Sequence, residues 1–143
     1  MSRASAIFAT ALVLAHTVPA RAEAPKWNQK QVTALAEQLV QVFDDIATAS
    51  REAPRQPTAL QQRTRDAAAS GIQRLRDAAS DYLGKLKAGQ DRDMTQARYR
   101  NLRDSFRETR QDARNAVATP KMDELLRKAS GLLDELGGYY PDA

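Results

Sequence analysis

The sequence predicts an all-α fold, an up-down-up-down antiparallel four-helix bundle preceded by a cleaved signal peptide. Three observations carry that expectation. Apolar residues recur at spacings of three and four in four separate segments, each segment is bounded by helix-start and helix-stop residues, and no stretch alternates with period two for long enough to form a sheet. The connections are short, so consecutive helices should pack antiparallel, and three-four spacing favours shallow crossing angles.

Residues 1–22 read as an export signal. Arg3 supplies a positive start, Ala6 to Ala15 is an apolar run too short to span a bilayer, and Ala20-Arg21-Ala22 is a small-x-small cleavage site. Cleavage after Ala22 leaves a single domain, residues 23–143, in the periplasm or secreted from the cell, with no transmembrane segment. Losing Arg3 and Arg21 reduces the 22 basic residues to 20 against 18 acidic ones, so the net charge falls from +4 to +2. That balance is weak support for a polyanion partner. The absence of cysteine excludes disulfides, thiolate metal sites and thiol catalysis, so the core must hold the domain.

The first helix is expected over 29–50, with Asn28 as cap, Gln31 as its box partner and Trp27 before it. Its seam is Val32, Leu35, Leu39, Val42, Ile46 and Ala49. Pro54 and Pro57 end it, and Thr58 with Gln61 starts the second helix, 59–88. Leu60, Thr64 and Ala68 lead into its main seam of Ile72, Leu75, Ala79, Tyr82 and Leu86, and Gly89 caps its end. Asp93 is the expected cap of the third helix, 94–118, whose seam is Tyr99, Leu102, Phe106, Thr109, Ala113 and Ala116. Thr119 and Pro120 open the fourth, 120–136, with seam Met122, Leu125, Leu126, Ala129, Leu132, Leu133 and Leu136, and Gly137-Gly138 stops it. The alanine-rich seams of the second and third helices bury little area, so these two helices must approach closely or be only modestly stable.

Two groups of residues are candidate contact sites. Arg100, Arg103, Arg107, Arg110 and Arg114 step by three and four along the third helix and form one basic stripe beside its seam. Asp104, Glu108 and Asp112 form an acidic stripe on the seam's other flank, a pattern suited to charge matching between neighbouring helices. Left unpaired, the arginines would bind an unknown protein or an anionic envelope component. Nucleic acid is disfavoured, because Tyr99 and Phe106 fall on the buried seam and not among the basic residues. The second group follows from topology: the alternating bundle brings Trp27, Tyr82, Tyr99, Tyr139 and Tyr140 to one end. They form either an aromatic plug or a shallow pocket with hydroxyls at its rim, with Gly84 nearby allowing close approach or leaving a gap.

The architecture is similar in kind to that of the periplasmic four-helix cytochromes, and the likeness stops at fold class. The mature chain has no histidine and no Cys-x-x-Cys-His, so no cofactor or metal is expected, and Met94 and Met122 read as gap-filling core residues. Carboxylates such as Asp44-Asp45 and Asp123-Glu124 point about 100° apart on a helix, and no serine has a histidine to act as base. The expectation is therefore a non-enzymatic bundle acting by binding, in a protein-interaction or chaperone-like role in the cell envelope. The alternative is a carrier of a small apolar or aromatic ligand at the tyrosine-rich end.

Overall fold

The structure is a computed structural model describing residues 24–54, 58–141 and 143; the expected signal peptide, 1–22, lies outside the described residues. Every regular element among the described residues is a helix: α1 Gln29–Glu52, α2 Ala59–Lys87, α3 Arg92–Ala116 and α4 Pro120–Gly137. None of these is long and apolar enough to cross a membrane.

All four helices start on a side-chain oxygen. Asn28, Thr58, Asp91 and Thr119 each accept a hydrogen bond from the backbone N–H three residues on, at 3.1–3.2 Å. For α3 this corrects the expected cap: Asp91, not Asp93, takes the free Met94 N–H. Asp93 sits instead in the first turn, where its carboxylate faces the positive end of the helix dipole. At the other end of α2, Gln90 N–H reaches Lys85 C=O and Gly89 N–H reaches Leu86 C=O, at 3.1 and 3.0 Å. That closing pair requires a left-handed residue, supplied by Gly89 at φ +83°.

The end of α1 is closed by a residue from α2. The Arg65 guanidinium donates to the carbonyls of Pro54 and Ala53 at 2.6 Å and to that of Ser50 at 2.9 Å. A cation thus satisfies carbonyls that have no partner within the helix.

Contacts between helices set their directions. Gln29 at the start of α1 donates to the carbonyls of Leu86, in the last turn of α2, and Gln90, just beyond it, and Arg98 early in α3 pairs with Asp81 late in α2 at 2.8 Å. Arg114 late in α3 pairs with Asp123 early in α4 at 3.2 Å, and Lys121 early in α4 with Glu52 at the end of α1 at 3.7 Å. Neighbours therefore run in opposite directions. These pairs are exposed and each contributes about 0 to 1 kcal/mol, so they select orientation more than they stabilise.

Burial holds the helices together. The main seams are buried as expected, with Leu39, Ile46, Leu75, Leu102, Met122 and Leu136 at their centre. The α1 face is wider than its expected seam and adds Ala36, Phe43 and Ala47, because α1 packs extensively on both α2 and α4. Phe43 meets Phe106 of α3 with ring centroids 6.0 Å apart. The alanine question resolves as close approach: a Cβ on Gly71 of α2 would lie 3.0 Å from the Thr109 side chain of α3, and this helix pair packs extensively.

Two apolar positions depart from expectation. Leu60 is 73% exposed in the first turn of α2, at the rim beside Thr64 and Asn115. Met94 is 62% exposed and is not a core residue. With α3 beginning at Arg92, the residue on the seam is Thr95, and Met94 points about 100° away from it.

Candidate functional site

The expected aromatic residues do converge. Tyr82 from α2, Tyr99 from α3, and Tyr139 and Tyr140 beyond α4 are all buried, and Trp27 before α1 is half-buried against them. The α4 helix does not end abruptly at its two glycines. Tyr139 N–H bonds Leu136 C=O and Tyr140 N–H bonds Gly137 C=O, both at 3.0 Å, and this tighter winding returns the tail over the end of the bundle. There Tyr140 stacks on Tyr99 with centroids 4.6 Å apart and planes 11° from parallel. Trp27 meets the Tyr140 and Tyr139 rings edge-on at 5.5 and 6.3 Å.

Three of the four tyrosine hydroxyls are satisfied inside this cluster. Tyr99 donates to Leu133 C=O at 2.8 Å. Tyr140 Oη lies 2.8 Å from both Tyr82 Oη and Thr95 Oγ1, and Thr95 donates to Asp91 C=O at 2.7 Å. One proton order serves every group: Tyr82 donates to Tyr140, Tyr140 to Thr95, and Thr95 to the carbonyl. Burial raises the Tyr82, Tyr99 and Tyr140 hydroxyl pKa values above the ordinary tyrosine value. Donation to Tyr140 adds to the effect at Tyr82, whereas Arg103 partly opposes it at Tyr99.

Glycine 137, not Gly84, makes the space. A Cβ on Gly137 would lie 2.6 Å from Tyr99 Oη, while one on Gly84 would meet nothing within 4 Å. Sequence reading placed Gly137 as a helix stop and missed this role, as it missed Thr95. The signal for Thr95 was its position four residues before Tyr99 on the same seam.

The arginine stripe is divided by the structure. Arg103 turns inward: its guanidinium lies 5.9 Å from the Tyr99 ring centroid and donates to the Ala143 carbonyl at 2.8 Å. Arg107, 75% exposed, lies 3.8 Å from Asp104 one turn back on α3, and Arg114 pairs with Asp123 on α4. Arg100 is exposed near the start of the stripe. Arg110 is exposed and has no hydrogen-bonding or ionic partner among the described residues.

The acidic stripe does not supply the expected matching across helices. Asp104 pairs only within α3, and Glu108 and Asp112 have no ionic partner among the described residues. Toward α2 the helix presents a cation, Arg98, to Asp81.

The basic flank faces α4, and here the bundle is least closed. Contacts between α3 and α4 are sparse beside those of the other neighbouring pairs. Arginines on α3 oppose a polar line on α4, Asp123, Arg127, Ser130 and Asp134, and polar rows cannot interdigitate as apolar seams do. A groove of about 290 Å³ remains, lined by Arg110, Arg114, Asp123, Leu126, Arg127 and Ser130. Arg127 and the Ser130 hydroxyl, like Arg110, have no partner among the described residues. Neither α4 residue was expected at a site, although the four-three-four spacing of that polar line marked a hydrophilic face. No protein-family profile matches the chain, and no curated protein or solved structure matches it either.

Proposed function

We propose that this chain is an exported, non-catalytic bundle that works by binding in the periplasm or outside the cell, with the arginine-bearing face of α3 as its contact surface. The observation that carries the reading is the open α3–α4 groove, where Arg110 and Arg127 have no partner among the described residues and lie beside the half-exposed Arg114. Guanidinium groups left over from a fold's own pairing are available to carboxylate or phosphate groups of another molecule. The partner class is an acidic protein surface or an anionic envelope component, in keeping with a chaperone-like or protein-interaction role. The signal-like composition of residues 1–22 supports the envelope location.

A small-ligand carrier at the tyrosine end is the weaker reading. The rings there already cover one another and the Tyr82, Tyr99 and Tyr140 hydroxyls are bonded internally, which favours a plug over a pocket. The test is cross-linking of the mature protein in its native envelope, comparing wild type with an Arg107→Ala, Arg110→Ala double variant. The variant should lose salt-sensitive partner capture while keeping its helical circular dichroism. Equal capture by both proteins at every salt concentration would sink the proposal.

A further inference from the structure

The α3–α4 groove has a charge and a shape that narrow the chemistry of what it can hold. Arg110, Arg114 and Arg127 bring three positive charges to its walls, and Asp123 returns one negative charge. The surplus of two is more than a single carboxylate neutralises. A phosphoryl group near neutral pH carries about −1.5 to −2 and presents three acceptor oxygens. Guanidinium forks from two different helices, with the Ser130 hydroxyl, which has no partner among the described residues, as a further donor, suit a tetrahedral acceptor better than a planar one.

Size agrees with this assignment. At about 30 Å³ for each water, the groove's roughly 290 Å³ holds several times the volume of the anion alone. The remainder of a phosphorylated molecule can lie along the groove wall, where the nearly fully buried Leu126 shows only its edge. Arg114 is the adjustable element: its 3.2 Å contact with Asp123 is half-exposed, so turning toward a phosphoryl oxygen forfeits little.

We infer that the groove between α3 and α4 is a phosphate-monoester site, held by Arg110 and Arg127 with Arg114 and Ser130 in support. It rests on the reading that this face is the contact surface, and it adds the chemical class of the group recognised.

Titration of the full chain with inorganic phosphate, followed by calorimetry against chloride at matched ionic strength, tests the site. Wild type should bind phosphate, and Arg110→Gln and Arg127→Gln should each weaken binding by about tenfold, the loss expected for one charge-assisted hydrogen bond. Arg74→Gln, exposed on α2 and outside both the groove and the contact face, should stay within about twofold. No phosphate-specific heat, or equal weakening by all three variants, overturns the site.

Phosphatidylcholine vesicles with and without phosphatidic acid then separate the sources. Binding only to the acid-containing vesicles, lost in Arg127→Gln, identifies a lipid headgroup, whereas phosphate binding without vesicle binding identifies a soluble monoester. Cross-linking capture that depends on Arg107 and Arg110 in a protein that ignores phosphate would refute the groove and leave the contact-surface reading standing. Phosphate binding with capture unchanged in the double variant would do the reverse.

Discussion

Helices α3 and α4 meet at two places, and the two are built on opposite principles. At the tyrosine end, Tyr140 stacks on Tyr99, three hydroxyls form a chain ending on a carbonyl, and Trp27 covers the edge. Toward the other end the same helices face each other through Arg110, Arg114 and Arg127, and a groove stays open between them. The backbone scaffold is shared, so side-chain chemistry decides which stretch closes. Rings gain by leaving water and can satisfy their one polar atom locally, whereas guanidinium groups lose hydration on burial and have more donors than the facing helix has acceptors.

This contrast predicts stability at one end and tolerance at the other. Tyr140→Ala should cost about 3–5 kcal/mol in urea unfolding, because it removes a buried ring from between α2, α3 and the N-terminal segment. A loss below about 1 kcal/mol would show that the plug does not hold the bundle closed. Gly137→Ala should cost about 1–3 kcal/mol in the same assay, since the added methyl must displace a Tyr99 hydroxyl fixed by stacking and by its bond to Leu133. If thermal midpoints were unchanged, the tail would be shown to shift freely.

The alkaline limb of stability reports on the same cluster. Tyr82, Tyr99 and Tyr140 have folded pKa values raised above those of the unfolded chain. Their contribution is complete below about pH 10, where tyrosine is neutral in both states, and is lost as pH rises above it, because only the unfolded chain then releases the proton. The decline should approach about 1.4 kcal/mol per pH unit for each buried tyrosine. Stability measured from pH 9 to 12 should fall less steeply in Tyr82→Phe than in wild type, and identical slopes would contradict the assignment. Smallest of all, Arg107→Ala with Arg110→Ala should move the unfolding free energy by less than about 0.5 kcal/mol, since neither residue is buried or strongly paired. A larger effect would mean that the groove side also carries the fold.

The candidate site was legible in unequal parts. Ile72, Leu75, Ala79, Tyr82 and Leu86 fall on the buried face of α2 because three-four spacing is a local property of a helix, independent of its neighbours. The gathering of four tyrosines and a tryptophan at one end followed from alternating topology and helix length alone. Phe43 was missed because its burial depends on α1 touching two other helices, and Met94 was misplaced because one residue of helical phase separates Thr95's seam from solvent. Arg65 as the closing cation of α1 had no local signal, since its partners lie 11 to 15 residues back, before the start of α2.

Sequence alone was therefore sufficient for the number and type of elements, their capping by Asn28, Thr58 and Thr119, the seams, and the basic stripe of α3, all of which depend on residues within a few positions of one another. It was not sufficient for the fate of that stripe. Whether an arginine is spent on a ring and a carbonyl, as Arg103 is, or lines a groove with no partner among the described residues, as Arg110 does, depends on the distance between two helices and on what the opposing one presents. That distance comes from packing across the whole bundle, and no window of sequence contains it.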